Sequence, residues 1–295
     1  MPEIRFTKLQ GLGNDFLIIF VEEIEELRSS RALARKMCER NYGAGADGLV
    51  FVTRARHADA DFASRIFNSD GSEAEVSGNG TRCVAAYVYH SGLWNEPQVR
   101  IATAAGVKTG RLVGREGLRY ELELDMGKPR LASVDIPISL DQPLPRVVGH
   151  PLRLGGDLLE VTCVSMGNPH CTLFVPEFDE AHIAAFGPLI EDHPAFPNRT
   201  NVEFARVISP DEIEVRFWER GAGRTLSSGT GSCGATVAAA LNGLTGRNVQ
   251  VSTLGGTLRV DWREDDTVLL TGPAEVIYEG RWLQDLRFSP SSGKV

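Results

Sequence analysis

Asp70-Gly71-Ser72-Glu73-Ala74-Glu75-Val76-Ser77-Gly78-Asn79-Gly80-Thr81-Arg82-Cys83 and Arg220-Gly221-Ala222-Gly223-Arg224-Thr225-Leu226-Ser227-Ser228-Gly229-Thr230-Gly231-Ser232-Cys233 read as two copies of one motif. Each sets a serine directly before a Gly-polar-Gly triplet, follows a Phe-containing apolar run and leads into an alanine-rich, helix-forming segment. Ser228 falls 151 residues after Ser77, about half the chain. The glycines let the main chain approach a ligand closely. The first turn of each following helix presents unpaired N–H groups at the positive end of its dipole, a natural seat for a carboxylate or phosphate. One such triplet is an ordinary turn or cap; two in the same phase point to a duplicated ligand site. No lysine follows either triplet, which weakens a nucleotide-phosphate reading.

The duplication extends outward from these stretches. Ile4 to Leu9 alternates as a strand does, Phe16 to Val21 is a continuous apolar run, and Ser29 or Ser30 caps a helix through about Arg40. Strands at Leu49–Thr53 and Phe62–Asn68 deliver the chain to Ser77. In the second half, Met166-Gly167-Asn168-Pro169-His170 leading into Cys171–Val175 echoes Gly13-Asn14-Asp15-Phe16 leading into Leu17–Val21, 154 residues on. A helix near Asp179–Phe186 takes the place of the Ser30 helix, and strands at Asn201–Val207 and Ile213–Glu219 precede Ser228. Proline and aspartate thicken after Lys128 and through Pro145, which marks the crossover. The expected architecture is α+β, with two pseudo-symmetric domains, each a mixed sheet or barrel wrapped around a central helix, and a ligand cleft between them. Residues 1–128, rejoined by 276–295, form one domain and 129–275 the other.

A chain of 295 residues that is 42% hydrophobic can bury a full core in each half. Its net charge of −8 offers no basic surplus to displace counterions from a nucleic acid. No stretch has the apolar length of a membrane span, and Met1-Pro2-Glu3-Ile4-Arg5 lacks a signal-peptide pattern, so a cytoplasmic location is expected. Five scattered cysteines suggest neither a disulfide framework nor a metal site, but buried reduced thiols.

The pieces Gly13-Asn14-Asp15-Phe16, Gly45-Ala46-Asp47-Gly48, Phe67-Asn68-Ser69-Asp70-Gly71-Ser72-Glu73-Ala74-Glu75, Gly78-Asn79-Gly80, Gly167-Asn168-Pro169-His170, Thr200-Asn201-Val202-Glu203, Glu219-Arg220-Gly221 and Gly229-Thr230-Gly231 occur in this order. In that order the chain resembles the diaminopimelate epimerases, cofactor-independent amino-acid epimerases, from Phe6 to about Gly280. The resemblance implies the two-domain fold, a homodimer, no cofactor and no metal, and the interconversion of LL- and meso-2,6-diaminopimelate in the lysine and peptidoglycan precursor pathway. It also implies a pair of cysteines, one removing the α-proton and the other supplying a proton to the opposite face.

This chain departs from the family at that pair, where it carries Ser77 and Ser228. A thiol titrates near 8.5 and a helix N-terminus lowers it further, whereas an alcohol starts several units higher. Three readings fit. The serines are replacements that trap a ligand; or they are natural, in a protein that binds an amino acid and turns it over slowly; or a neighbour activates them. The resemblance places Glu219 and His170 beside the two positions as acid–base support. Arg224 stands where the family usually has glutamate, either solvated or acting as a fixed cation near Ser228.

By the same resemblance, Asn14, Asn68, Asn168, Asn201 and Arg220 would hold the distal amino-acid end of the substrate. Arg220 offers a planar fork for a carboxylate, and each asparagine can both donate and accept. The α-carboxylate of the reacting centre would rest on the backbone N–H groups of Gly78, Asn79, Gly229 and Thr230. The alternatives are another amino-acid racemase or isomerase on this fold, and a non-catalytic amino-acid-binding protein.

Overall fold

The computed structural model describes residues 3–22, 30–56, 58–74 and 77–283. Ser29, Glu75, Val76 and residues 284–295, to which expectations above extend, lie outside the described residues. In chain order the first half comprises β1 (Ile4–Gly11), β2 (Asn14–Phe20), α1 (Ser30–Cys38), β3 (Gly48–Arg54), β4 (Phe62–Asn68), β5 (Glu73–Ala74), α2 (Gly78–His90), β6 (Gln98–Thr103), β7 (Gly106–Glu116) and β8 (Arg119–Gly127). The second comprises β9 (Val147–Leu154), β10 (Asp157–Ser165), β11 (Pro169–Phe174), α3 (Glu180–Glu191), β12 (Asn201–Ser209), β13 (Glu212–Glu219), β14 (Gly223–Thr225), α4 (Gly229–Leu241), β15 (Asn248–Thr253), β16 (Gly256–Trp262) and β17 (Val268–Trp282).

Seven strands of the first half and β17 close into a barrel in the order β1, β2, β3, β4, β6, β7, β8, β17 and back to β1. Helix α2 fills this barrel. Cys83, Val84, Ala85, Ala86 and Val88 pack against Leu9, Ile18, Val50, Phe62, Ile101, Leu122 and Ala274 from the wall. A helix surrounded by strands has no solvent face, so its sequence must be small and apolar nearly all round. That is why the alanine-rich segment after each triplet carries so few charges. In the second half, β9 to β13, β15, β16 and the start of β17 pair in series. There α4 contributes Cys233, Ala235, Val237 and Ala239 to a core with Val164, Ala205, Val215, Val251, Leu258 and Leu270. Helices α1 and α3 lie outside, with Leu33 and Met37 against Leu17, Leu49 and Phe51, and Ile183 and Ile190 against Val202 and Phe204.

The expected α+β plan of sheet around central helix is therefore present in both halves. Strand β17 pairs with β16 at its start, with β8 along Val268–Glu275 and with β1 from Glu275 to Trp282, so it belongs to both. Two helix ends and one strand differ from expectation. Helix α1 ends at Cys38, and α3 runs on to Glu191 from an Asp179 cap that accepts the N–H groups of Ala181 and His182 at 2.9 and 3.2 Å. Strand β9 lies just past the proline-rich crossover, where exposed Val148, Gly149 and Pro151 hide its alternation. All five cysteines are buried and unpaired, as their scatter suggested.

The turn between β1 and β2 is pinned by charge. The Asp15 carboxylate accepts from Lys8 Nζ at 2.9 Å and Arg40 Nη2 at 3.0 Å, and Asp15 and Asp47 exchange backbone hydrogen bonds through their side chains. Burial pushes the Asp15 carboxyl up, but Lys8 and Arg40 outweigh it and hold the group below the usual carboxylate range. A depressed carboxyl stabilises the fold above its unfolded pKa and stops doing so as the pH falls through its folded value. Asp15→Asn is thus expected to cost about 3 kcal/mol at pH 7. Urea titrations should show the deficit shrinking as the pH falls below about 4; a pH-independent deficit would mean the carboxylate charge is not its source.

Candidate active site

The two serines occupy matching positions. Ser77 caps α2 with φ −137° and ψ 121°, and its Oγ accepts the Gly80 N–H at 3.0 Å. Ser228 caps α4 with φ −129° and ψ 124°, and its Oγ accepts the Gly231 N–H at 3.3 Å. The helix N-termini meet. A Cβ on either Gly78 or Gly229 would stand 3.3 Å from the Cα of the other, so a side chain at either position would press on the facing backbone. With adjacent Cα atoms about 3.8 Å apart, the Cα atoms of Ser77 and Ser228 lie within about 12 Å of each other. Four first-turn residues, Gly78, Asn79, Gly229 and Thr230, are buried at this meeting point.

Ser228 has a base. Its Oγ donates to Glu219 Oε2 at 2.8 Å, while Thr225 Oγ1 donates to Glu219 Oε1 at 2.6 Å. The carboxylate is thus aimed by β14 and poised to take the serine proton, and the oxygen left behind would face the Gly231 N–H at a helix N-terminus. Among the described residues no carboxylate hydrogen-bonds Ser77. The structure places His170 on the α4 side as well. Its ring is fully buried, with Nδ1 2.6 Å from Glu203 Oε1 and Nε2 3.0 Å from Asn168 Oδ1, and a Cβ on Gly234 of α4 would lie 3.0 Å from it. Burial raises the Glu203 carboxyl, and the facing imidazole only partly offsets that. Asn168 in turn donates to Thr230 Oγ1 at 3.4 Å, so a line of polar contacts runs from Glu203 through His170 to the first turn of α4.

The other expected site residues fall in different settings. Asn14 donates to Asp47 Oδ2 at 2.8 Å and accepts weakly from Asn79 Nδ2 at 3.4 Å, and Asn79 also donates across the halves to Ser227 O at 3.3 Å. Asn68 is exposed and donates to Ser72 Oγ at 2.9 Å. Asn201 is buried with its amide already committed, donating to Pro169 O at 2.8 Å and accepting the Arg220 N–H at 3.0 Å. It therefore fixes the backbone that carries Arg220, whose exposed guanidinium donates to Asn198 O at 3.0 Å. Arg224 is exposed and ion-paired with Glu180 at the start of α3. Arg82, one helical turn into α2, was not among the expected site residues although its guanidinium lies beside Gly229. Its only signal is a charge inside an otherwise apolar, barrel-filling helix.

The β1–β2 turn joins this site to the second half. Leu12 adopts the left-handed φ of 55°, and its carbonyl oxygen would lie 2.1 Å from a Cβ on Gly255. Only glycine lets the two backbones pass this closely. Gly255→Ala is expected to cost about 3 kcal/mol and to weaken ligand binding, since Asn14 follows two residues on. Denaturant midpoints and calorimetric affinity check both effects; an unchanged midpoint would refute the contact.

A family model described as diaminopimelate epimerase matches residues 6–132 and 162–277. A diaminopimelate epimerase of Pelotomaculum thermopropionicum is 48% identical over 281 residues, covering 95% of this chain and 99% of that protein. One from Desulfitobacterium hafniense is 46% identical over 284 residues, covering 96% and 99%. Among solved structures, a probable proline racemase from Agrobacterium radiobacter K84 superposes with a TM-score of 0.70 at 17% identity, covering 97% of this chain and 94% of that one. A hydroxyproline epimerase from Agrobacterium vitis gives 0.69 at 15% identity, covering 95% and 92%. At these identities the two structures speak for a shared fold alone.

Proposed function

The chain belongs to the diaminopimelate epimerase family, and from that premise we propose that it inverts one α-carbon of 2,6-diaminopimelate between the groups at positions 77 and 228. The observation that carries this reading is the contact between two equivalent helix N-termini, each capped by the serine in question. A tetrahedral carbon seated over that contact would present opposite faces to the two side chains. One oxygen takes the α-proton while the other gives a proton to the far face. The negative charge spreads onto the α-carboxylate, which the N–H groups of Gly78, Asn79, Gly229 and Thr230 would hold. The distal end of the substrate falls to Asn14, Asn68, Asn168 and Arg220, with Asn201 positioning the last.

No cofactor enters this scheme. The Ser228–Glu219 hydrogen bond favours a working base on one face, and an alcohol in place of a thiol at both positions makes turnover slow. His170 would keep Asn168 and Thr230 aligned. Among the described residues no helix is long and apolar enough to cross a membrane, and the family resemblance supports a cytoplasmic homodimer, which sedimentation velocity tests.

Incubation with LL-diaminopimelate in heavy water decides between turnover and binding. Deuterium at the α-carbon means proton abstraction. Thermal stabilisation by the ligand without label means an amino-acid-binding protein. Neither label nor stabilisation would overturn the reading.

A further inference from the structure

Arg82 stands 151 residues before Cys233, so the second copy of the motif has a thiol where the first has a guanidinium. The arginine side chain is fully buried. Its hydrogen bonds go to neutral oxygens: Nε to Pro273 O at 3.3 Å, Nη1 to Gly78 O at 3.4 Å and Nη2 to Asn79 Oδ1 at 2.7 Å. Among the described residues no carboxylate comes within ion-pairing distance of it. The titratable groups that act on it are the buried thiols of Cys83 and Cys233 and, on β8, the Glu121 carboxylate; Asp15 acts in turn on Cys83, and Lys108 on β7 on Cys233. Desolvation pulls the guanidinium down to about 10, which leaves it charged at neutral pH.

A buried charge without a partner costs several kcal/mol, and proteins seldom keep one. The location of this one gives the reason. A Cβ on Gly229 would lie 3.7 Å from Nη1, and one on Gly11 would lie 3.5 Å from Nη2. Arg82 therefore sits behind the meeting point of α2 and α4, where two helix dipoles already converge. Three sources of positive potential share one place; Glu219 and Glu203 face the first turn of α4, and among the described residues no carboxylate pairs with the guanidinium itself.

We propose that Arg82 is the positioning residue of the site. It locks the first turn of α2 against α4 through Gly78 and Asn79, and its fixed charge raises the affinity for a carboxylate on the adjoining N–H groups and favours the anionic form of a group at position 228. The carboxylate part rests on the amino-acid reading above; the effect on position 228 does not.

The test places a thiol at the site by Ser228→Cys and follows its alkylation by iodoacetamide as a function of pH, with peptide mapping to separate it from the five buried cysteines. Glu219 faces this thiol from β13, and Glu203 on β12, paired with His170, lies against the same first turn at Gly231; all are common to every variant compared. Adding Arg82→Met, or Arg82→Gln, which keeps a hydrogen-bond donor, is expected to raise the titration midpoint by about one pH unit. Arg82→Lys should leave it nearly in place. A purely structural role would lower the melting temperature in all three and leave the midpoint alone, and an unmoved midpoint in the neutral variants overturns the proposal. Calorimetry with diaminopimelate, on Ser228 backgrounds, should show about tenfold weaker binding for the neutral variants. A shifted midpoint with undiminished affinity would refute the carboxylate part. If the Arg82 chain itself binds no diaminopimelate, the functional reading fails while the titration result stands.

Discussion

Cysteine at both positions, Ser77→Cys with Ser228→Cys, is expected to raise α-proton exchange on diaminopimelate by about three powers of ten or more. The expectation rests on the difference between an alcohol and a thiol as a base. A thiol titrates near 8.5 before the helix N-terminus acts on it, and every unit of mismatch is worth about 1.36 kcal/mol in the barrier. The cap geometry is the same at the two helices, so the two substitutions are equivalent in their local setting. Each replaced hydroxyl gives up a cap worth about 1 kcal/mol, so the doubly substituted chain should melt somewhat lower. Loss of the α-proton signal in heavy water, followed by NMR, reads the rate. A gain below tenfold would show that the serines, with Glu219, are sufficient as they stand.

Glu219→Gln is expected to lower exchange by a factor of about 10² to 10³ while leaving ligand affinity within a few-fold. The carboxylate accepts from both Ser228 and Thr225, and a glutamine can accept at only one of its two ends. Ser228 then loses the group that would take its proton. On the proposal that the dyad serves one face of the substrate, initial rates from the LL and meso forms should suffer unequally. Equal loss from both would place Glu219 in support of the whole site, and no loss would remove it from the proton path.

Much of this was legible in the chain. The serine-plus-glycine phasing announced two capped helices because a cap is a local matter: Ser77 bonds to Gly80 three residues on, and Ser228 to Gly231. The alanine-rich runs announced burial all round. What the sequence hides is long-range. Asn201 reads as a ligand residue, yet both ends of its amide are spent on the main chain of Pro169 and Arg220. Arg82 stands out only as a charge in an apolar helix, and the groups that give it a role, Pro273 and Gly229, lie far off in the chain. Strand β9 escapes because prolines and exposed positions break the alternation that marks its neighbours.

The double membership of β17 has a bearing on how the molecule is made. The ring around α2 has a gap between β1 and β8 that only residues 268–282 fill. A nascent chain emerging from the ribosome therefore cannot complete its first half until nearly all of the second has been synthesised, and dividing the gene at the crossover would give one fragment lacking a stave and another carrying it with nothing to close.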